Sequence, residues 1–315
     1  MKLGIIGTGK IVRDVMQPIT TSGINVVSIL STPRSVSVAE TLADEWGIDK
    51  TYSDFESFFS SDIDTVYIAT PNHLHYEHAK LAIKASKNVI IEKPIMTSIE
   101  EFNEIINLAN HNNVMVLEAI NIHFNPLIVS LQEDLKEIGD IKIVSLNYSQ
   151  LSSRYSDFKK GIIHPAFDKE KAGGALIDIN VYNLHFCATL FGSPEKSTYI
   201  ANKEKNIDTS GVLILDYLGF KCICIGSKDS KNTERSSIQG DKGTIAFKSG
   251  MNNFSEYEVN LHNGKVYKRI NTIESHRLSI QFREIKHIIE NEKMDIVHKN
   301  IRRGEIVIKT LSECI

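Results

Sequence analysis

The first 120 residues alternate between short apolar runs and helical stretches, and this alternation restricts the fold more than any other feature of the chain. The apolar runs are LGII at 3–6, NVVSIL at 25–30, TVYIAT at 65–70, VIIE at 89–92 and VMVLEA at 114–119. Strands that alternate with helices form a parallel sheet, and right-handed crossovers place the helices on both of its faces. The sequence therefore predicts a doubly wound α/β domain over residues 1–120.

The second part of the chain, residues 121–315, follows a different pattern. A long alternating strand covers 141–153, and a single helix is predicted from Ala175 to Phe191. Later strand candidates such as SGVLILDYL at 210–218 are separated by turn signals, which is typical of an antiparallel sheet. We expect a second, α+β domain with an open, mostly antiparallel sheet, whose last helices can pack back on the first domain.

An open sheet face suggests how copies of the chain associate. Helices that cover one face of the second sheet leave the other face open, and such a face needs a partner. We therefore expect a homodimer through this sheet. The net charge of −3 and the pI of about 6.4 give no basic excess for nucleic acid or an anionic membrane.

The cysteines and the N-terminus indicate the compartment. The four cysteines show no C-x-x-C pair and no zinc spacing, so they are interpreted as small hydrophobic residues in a reducing compartment; they are Cys187, Cys222, Cys224 and Cys314. MKLGIIGTGK is not a signal peptide, and no run approaches the roughly 20 apolar residues of a membrane span. We expect a cytoplasmic protein that makes no contact with a membrane.

A glycine loop between the first strand and the first helix predicts a phosphate-binding turn. Gly7 permits the tight turn, and Gly9 lets the backbone approach a pyrophosphate at the helix N-terminus. Val12 replaces the third glycine of G-x-G-x-x-G. That glycine allows close packing of the helix on the strand, so the match to the motif is weaker, but phosphate binding is not removed. The predicted cofactor-binding residues of this loop are Gly7, Thr8, Gly9, Lys10 and Ile11.

The end of the second strand favours NADP over NAD. An acidic residue there would hold the ribose hydroxyls of NAD, but the segment contains Ser31, Thr32 and Arg34 instead. Hydroxyls and an arginine suit a 2′-phosphate. The alternative is that Arg34 is a solvated loop charge.

The segment VIIEKPI places a cation directly after a buried strand. Ligands of parallel sheets bind outside the carboxyl ends of the strands, so Lys93 would point into the cofactor crevice. Pro94 fixes the backbone and cannot extend the strand. Lys93 is therefore a candidate catalytic residue.

A second candidate set lies in GGALIDINVYNLHF, residues 173–186. Asp178 and Tyr182 are four apart on a predicted helix and share a face, with His185 three residues further on. A lysine ammonium beside a tyrosine hydroxyl favours the phenolate, which makes Tyr182 a credible acid/base for an alcohol–ketone couple. The alternative is a Tyr182 that belongs to the core, with Asp178 in a capping role.

Five motifs occur in the order and spacing of one known family. They are the glycine loop, TPNHLH at 70–75, EKP at 92–94, EA at 118–119 and GGALIDINVY at 173–182. Through these motifs the chain resembles the Gfo/Idh/MocA oxidoreductases over nearly its whole length. The resemblance implies an N-terminal Rossmann domain that binds a dinucleotide and a C-terminal domain that often dimerises through its sheet.

The resemblance also implies roles for individual residues. It assigns Lys93 a contact with the nicotinamide ribose and the substrate, and it places Glu92 beside the cofactor. It implies that further residues line the cofactor: Thr70, Pro71, Asn72 and His75. Tyr182 stands where many members have a histidine, which is similar to the branch of glucose–fructose oxidoreductase and dimeric dihydrodiol dehydrogenase, where this tyrosine is the proposed acid/base.

Two further positions depart from the family pattern. His123 stands where that branch often has arginine, so substrate contacts are expected to differ. Asn180 replaces a usual glycine and is expected to narrow the pocket. The candidate substrate contacts are His123, His164 and His185. For His164 the alternative is a residue of a surface loop.

The histidines of residues 73–78 do not predict a metal site. His73, His75 and His78 lie on one segment, but no cysteine or carboxylate completes a ligand set. Hydride transfer to NADP needs no metal. We expect no metal.

Two functions remain open at this point. The first is an NAD(P)-dependent dehydrogenase or reductase that transfers a hydride between nicotinamide and a sugar, cyclic polyol or related hydroxy or keto compound. The second is a catalytically silent NAD(P)-binding sensor of the same fold. The intact lysine and tyrosine sites favour the enzyme.

Overall fold

The computed structural model describes residues 1–233, 236–272 and 276–314. The chain divides into two compact units. The first comprises Met1–Asn121 and Ser275–Glu305, and the second comprises Ile122–Glu274 and Ile306–Ile315. None of the described helices combines the length and the apolar character needed to cross a membrane.

The first unit contains a six-stranded sheet in which every pair of neighbouring strands is parallel. The strand order is β3-β2-β1-β4-β5-β6, the doubly wound order of dinucleotide-binding domains, so the predicted Rossmann sheet is confirmed. The strands are β1 Lys2–Ile6, β2 Asn25–Leu30, β3 Lys50–Tyr52, β4 Thr65–Ile68, β5 Asn88–Glu92 and β6 Val116–Ala119. The helices between them are α1 Lys10–Thr21, α2 Val36–Trp46, α3 Phe55–Phe59, α4 His75–Lys84 and α5 Ile99–Asn112.

Local sequence explains where several of these helices begin and end. Asp54 caps α3 by accepting a hydrogen bond from the Ser57 N–H at 2.8 Å, and Ser98 caps α5. α2 ends at Gly47, whose φ of +65° suits a left-handed cap. α1 has no side-chain cap, since Gly9 occupies its cap position. The first N–H groups of α1 therefore have no side-chain acceptor at this cap.

The second unit is built on an eight-stranded sheet in the order β14-β13-β12-β11-β7-β10-β9-β8. Among the strands that the structure describes in this sheet, only β7 and β10 pair in parallel, so the predicted mostly antiparallel sheet is confirmed. Its strands are β7 Ile141–Ser149, β8 Lys196–Glu204, β9 Ile207–Tyr217, β10 Phe220–Ser227, β11 Ser236–Gly240, β12 Gly243–Phe247, β13 Glu256–Leu261 and β14 Val266–Ile270. Its helices are α6 Leu127–Glu137, α7 Tyr155–Lys159 and α8 Val181–Phe191, and the chain ends with α9 Arg277–Glu290 and α10 Met294–Cys314.

Several helices differ from the sequence prediction. α6 and α7 were not predicted, and α6 joins the sheet through its buried Asp134, which accepts from Arg269 at 2.9 and 3.0 Å. The sequence predicts a last helix from Arg302 to Cys314, whereas α10 begins about two turns earlier, at Met294. The predicted helix from Ala175 starts with a π-helical turn over Leu176–Asn180 and becomes α-helical only at Val181.

Candidate cofactor and active site

The carboxyl ends of β1, β2, β4 and β5 lie at one edge of the parallel sheet. The loops that leave this edge carry every residue predicted to bind the cofactor. They are Gly7, Thr8, Gly9, Lys10 and Ile11 after β1, Ser31, Thr32 and Arg34 after β2, Thr70, Pro71, Asn72 and His75 after β4, and Glu92, Lys93 and Pro94 at the end of β5. The order β1-β4-β5 puts the glycine loop two strands away from the lysine.

The two glycines of the loop have different structural requirements. Gly7 has a φ of +119°, and a Cβ on it would meet the Ala69 carbonyl oxygen at 2.7 Å. A Cβ on Gly9 would have no heavy atom within 4 Å, so the space in front of the α1 N-terminus is open. Val12 in the third glycine position is fully buried. The loop therefore fits a dinucleotide phosphate at its N–H groups.

The loop after β2 presents its polar groups outward. Thr32 and Arg34 are exposed, and the Thr32 hydroxyl lies 2.9 Å from the Ser35 hydroxyl. Ser31 is buried, and its hydroxyl donates to the Thr32 carbonyl oxygen at 3.3 Å. Ser31 therefore shapes the loop, while Arg34 is its exposed cation.

His75 ties two of these loops together. Its ring is buried, with Nδ1 2.9 Å from the Pro94 carbonyl oxygen and Nε2 2.9 Å from that of Thr70. Burial lowers the pKa of His75, so the ring is neutral at physiological pH. A neutral imidazole donates through one nitrogen only. His75 therefore donates a hydrogen bond to one of the two carbonyl oxygens, and its other ring nitrogen only contacts the second.

Glu92 faces the core. Its carboxyl group is buried and accepts a hydrogen bond from the Tyr67 hydroxyl of β4, and its second oxygen lies 3.3 Å from the Lys93 N–H. Burial raises the pKa of Glu92. These contacts make Glu92 a residue that positions the Lys93 backbone.

A second glutamate supports the same turn from β6. Glu118 is fully buried, and its carboxylate accepts from the Ile95 N–H at 2.9 Å. Asn300 of α10 pairs with the Glu118 backbone, accepting from its N–H at 2.9 Å and donating to its carbonyl oxygen at 3.3 Å. The turn that carries Lys93 is thus anchored on both sides.

In the second unit, Asp178 forms an ion pair with a buried lysine. Lys228 Nζ lies 2.8 Å from Asp178 Oδ2, and the lysine side chain is only 2% exposed. The same ammonium donates to the Ala166 carbonyl oxygen and lies 4.4 Å from the centre of the Phe167 ring. Lys228 therefore fixes the Asp178 carboxylate.

Asp208 of β9 fixes the start of the same helical segment. Its carboxylate accepts from the Leu176 N–H at 2.7 Å and from the Tyr199 hydroxyl at 2.8 Å. Gly174 has a φ of +106°, and a Cβ on it would lie 2.0 Å from Asp208 Oδ1. Only glycine leaves room for this cap.

Asn180 does not narrow a pocket. It is buried, and its side-chain amide donates to the Cys224 carbonyl oxygen of β10 at 2.9 Å. The expectation that it narrows the pocket is therefore wrong, because its amide is directed to the sheet. Asn183 adds a bond to the Ile225 carbonyl oxygen at 3.0 Å. These two amides hold the helix against β10.

Tyr182 is half-buried on the first turn of α8, and its ring packs edge-on against Tyr148 with 5.5 Å between centres. Tyr148 borders an open cleft of about 230 Å³. The cleft is lined mainly by amide and hydroxyl groups, with one lysine: Asn147, Tyr148, Ser149, Gln150, Asn232, Thr233, Lys248, Ser249, Gly250 and Asn252. Such a lining offers hydrogen-bond partners to a hydroxyl-rich ligand.

The three candidate substrate histidines lie in two places. His123 Nε2 is 3.2 Å from His185 Nδ1; His185 is fully buried, and His123 is partly exposed. His164 Nε2 is 2.9 Å from Asp157 Oδ2. The structure therefore brings His123 and His185 together and pairs His164 separately.

Sequence reasoning missed Lys228, Asp208 and the positioning roles of Glu118 and Asn300. Lys228 follows β10 directly and Asp208 lies at the start of β9, and in the sequence both resemble ordinary turn charges. Both are far from the helix in sequence, so no local pattern could have identified them. Glu118 was noted within a motif, but its contact with Ile95 depends on strand pairing.

Comparison with known proteins agrees with this architecture. Residues 1–120 match the profile described as the oxidoreductase family, NAD-binding Rossmann fold (GFO_IDH_MocA), and residues 134–246 match the GFO/IDH/MocA C-terminal domain. Among solved structures, KijD10, a 3-ketoreductase from Actinomadura kijaniata in complex with NADP and TDP-benzene, superposes with a TM-score of 0.85 at 15% identity, covering 100% of this chain and 98% of that one. This likeness concerns the fold.

Several curated relatives are more similar to this chain in sequence than that solved structure is. IolU of Bacillus subtilis, a scyllo-inositol 2-dehydrogenase (NADP(+)), is 36% identical over 67% of this chain, and the match spans 65% of its own length. The uncharacterized oxidoreductase YgjR of Escherichia coli is 31% identical over 78% of this chain and 75% of its own. Human trans-1,2-dihydrobenzene-1,2-diol dehydrogenase is 28% identical over 78% and 73%. The chain therefore belongs to the GFO/IDH/MocA family of NAD-binding oxidoreductases.

Proposed function

We propose that this protein is an NADP-dependent oxidoreductase that interconverts a secondary alcohol and a ketone on a cyclic polyol, a sugar or a related compound. The observation that carries the proposal is the position of Lys93. It lies at the carboxyl edge that also bears the open glycine loop, in a turn anchored by His75, Glu92 and Glu118. So many contacts on one short turn support a lysine held in place for chemistry.

The preference for NADP rests on the loop after β2. Arg34 is exposed there, and no carboxylate is present between Leu30 and Ser35 to bind ribose hydroxyls. A guanidinium pairs well with a 2′-phosphate. The name of IolU, which includes NADP(+), agrees with this preference.

The proposed chemistry assigns separate roles to the cofactor and to three side chains. Bound NADP supplies or accepts the hydride at its nicotinamide. Tyr182 moves the proton of the substrate hydroxyl, and Lys93 stabilises the charge on that oxygen. Asp178, held by Lys228, accepts a hydrogen bond from a neighbouring substrate hydroxyl or orients the helix face.

The substrate class follows from the polar cleft beside Tyr148. Amide and hydroxyl groups dominate its lining, which suits a ligand with several hydroxyl groups. The relatives named above include dehydrogenases of an inositol and of a cyclic dihydrodiol. A cyclic hydroxy compound is therefore the first substrate class to test.

Two measurements test the proposal. NADPH binding is followed by its fluorescence, and turnover is followed by NADPH formation or loss with scyllo-inositol, other cyclic polyols, sugars and their keto forms. The proposal predicts saturable NADPH binding and turnover on at least one of these compounds. NADPH binding without turnover on the whole panel would instead support the sensor, and no binding of either cofactor would contradict both.

We also propose that two copies pair through the outer face of the second sheet. Ile200, Val212 and Ile225 lie side by side on β8, β9 and β10, and Ile214 pairs with Ile223 in a neighbouring row. Ile200 is 61% exposed. Such an apolar row supports an interface with a second copy.

The four free cysteines support a reducing, cytoplasmic location.

Light scattering during gel filtration tests the dimer. Ile225→Lys places a charge within the apolar row and is expected to yield monomers that keep the circular dichroism of the wild type. Leu218→Lys is the matched control, because Leu218 is 85% exposed at the turn between β9 and β10. A wild-type monomer, or an Ile225→Lys dimer, would refute this interface.

A further inference from the structure

In the core of the second unit, Cys187 meets two cysteines that are distant from it in sequence, Cys222 and Cys224. Cys187 lies on α8, and Cys222 and Cys224 alternate on the inner face of β10; all three are fully buried. Their sulfur atoms are 3.3 Å apart for Cys187 and Cys222, 3.6 Å for Cys222 and Cys224, and 3.9 Å for Cys187 and Cys224. All three thiols are free.

The triangle has the dimensions of a ligand set. A circle through three atoms at these separations has a radius of about 2.1 Å, so a point about 1 Å above their plane is about 2.3 Å from each sulfur. That distance is a typical bond length between zinc and a thiolate. The sulfurs thus match a pyramidal centre with three bonds and need little rearrangement.

Coordination number restricts what could bind. Among the residues that the structure describes, the group of neighbouring metal-ligating side chains contains these three cysteines and no histidine, aspartate or glutamate. Zinc in structural sites takes four ligands, so the set is one short for zinc. A centre that is satisfied by three sulfur ligands fits better.

The charge of the three thiolates further restricts which element could bind at this site. Three thiolates around a monovalent or divalent ion would leave net negative charge in an apolar core, which is costly. A trivalent centre with three thiolates is neutral. Trivalent arsenic forms three bonds in a pyramid and favours sulfur, so it satisfies both the geometry and the charge.

We propose that Cys187, Cys222 and Cys224 form a binding site for trivalent arsenic, supplied as arsenous acid. Three As–S bonds form and three As–O bonds break. Each thiol proton leaves with one hydroxyl group of arsenous acid as water. Where Cys222 starts as the thiolate, the hydroxyl group that it displaces from arsenic leaves as hydroxide. Arsenic stays trivalent, so no oxidant or reductant is needed.

The thiols differ in readiness for this reaction. Hydrogen bonds from Cys187 and Cys224 lower the pKa of the Cys222 thiol, whereas burial raises the pKa of Cys187. The thiolate is the form of each cysteine that attacks arsenic. Arsenous acid is small and uncharged at neutral pH, and it must enter through local opening of α8 from β10, so binding is slow.

Binding at this site would cross-link α8 to β10. Cys187 lies five residues after Tyr182 on the same helix. The bound arsenic would therefore stabilise the helix that carries the proposed acid/base. This inference rests on the three thiols alone and is independent of the proposed function.

The test uses the full-length reduced protein and sodium arsenite. After incubation and desalting, elemental analysis should find about one arsenic per chain in the wild type. Cys187→Ala, Cys222→Ala and Cys224→Ala should each lose at least nine tenths of it, with circular dichroism confirming their fold. Cys314→Ala is the matched control and should retain it, because Cys314 lies outside the cluster.

A second measurement on the wild type alone keeps the test independent of the variants. X-ray absorption at the arsenic edge should show three sulfur neighbours and no oxygen, and arsenite should raise the melting temperature. The proposal is overturned if the wild type retains no arsenic, if the single variants keep the wild-type stoichiometry, or if the spectrum shows two sulfurs and one oxygen.

Discussion

The carboxyl edge of the parallel sheet and the helix at 176–191 are held in place by different kinds of contact. At the sheet edge, His75 reaches carbonyl oxygens only 5 and 19 residues away in sequence. At the helix, Asp178 pairs with Lys228 across 50 residues, and the Leu176 N–H is capped by Asp208 across 32. The first region is held mainly by contacts between successive βα loops, with Asn300 of α10 as a long-range addition, and the second is held by side chains that only the folded sheet brings together.

This difference indicates where substitutions should separate activity from stability. Removal of a partly exposed side chain at a strand end takes little packing from the core. Removal of a buried lysine costs more, because its carboxylate partner and its carbonyl acceptor lose their donor.

The largest expected effect is a loss of turnover when Lys93 at the sheet edge or Tyr182 on the helix is replaced. Lys93→Ala and Tyr182→Phe should each lower kcat by about 100-fold or more, since each removes a group that acts on the reacting oxygen. The melting temperature of Lys93→Ala should stay close to that of the wild type, because Lys93 is partly exposed. Steady-state kinetics and thermal denaturation give both values. A kcat within threefold of the wild type would remove the residue concerned from the chemistry.

Lys228→Met should reduce both activity and stability. We expect kcat to fall about 10-fold and the free energy of unfolding to fall by about 2 kcal/mol, less than for a fully buried pair because Asp178 is 31% exposed. Asp178→Asn combined with Lys228→Met should be more stable than Lys228→Met alone, since no lone carboxylate remains. Urea denaturation checks this order. If the double variant were the less stable, the ion pair would not be the source of the loss.

Arg34→Ala should act on one cofactor only. The kcat/KM for NADPH should fall about 10-fold, the size of one charge-assisted contact, while that for NADH should not change. Lys50→Ala is the matched control, because Lys50 is an exposed cation at the opposite end of the sheet, where β3 begins. Equal losses with both cofactors, or a wild type that prefers NAD, would contradict the role given to Arg34.

The smallest effect is a pH dependence of stability at the sheet edge. Burial lowers the pKa of His75, and burial, with a smaller effect of His75 and His73, lowers the pKa of His78 to about 4. The unfolded chain therefore takes up protons first as the pH falls below about 6.5, so stability is full above that pH and declines toward pH 4.

The matched variant His78→Gln isolates this contribution. Between pH 7.5 and pH 5.5 its melting temperature should fall about 2–4 °C less than that of the wild type. Thermal denaturation at the two pH values measures the difference. An identical decline in both proteins would show that His78 is protonated equally in the folded and unfolded states.

The sequence was sufficient for the parallel sheet and for the loops at its edge because those features depend on local patterns. Gly7 follows β1 directly, and Lys93 follows β5 directly, so strand periodicity alone placed them at one edge. Lys228 and Asp208 could not be found in this way, since their roles depend on which strands of the second sheet lie beside the helix. The contact of Cys187 with Cys222 and Cys224 was missed for the same reason.

Asn180 and α6 show the same limit. Asparagine at a usual glycine position suggested that Asn180 narrows the pocket. Its side-chain amide instead donates to a carbonyl oxygen of β10. The position of β10 beside the helix depends on the pairing of β10 with β7 and β9, which no local pattern shows. The sequence of α6 has apolar residues at helical spacing, yet its binding to the sheet depends on Asp134 and Arg269, 135 residues apart.

The central claim is that Lys93 and Tyr182 act on one nicotinamide. A crystal structure of the complex with NADP and a cyclic polyol tests it most directly. The account predicts that Lys93 Nζ and the Tyr182 hydroxyl both lie about 3 Å from the same substrate oxygen, over the reactive face of the nicotinamide. Lys93 Nζ and the Tyr182 hydroxyl opening into separate cavities, with only one of them near the ring, would contradict it.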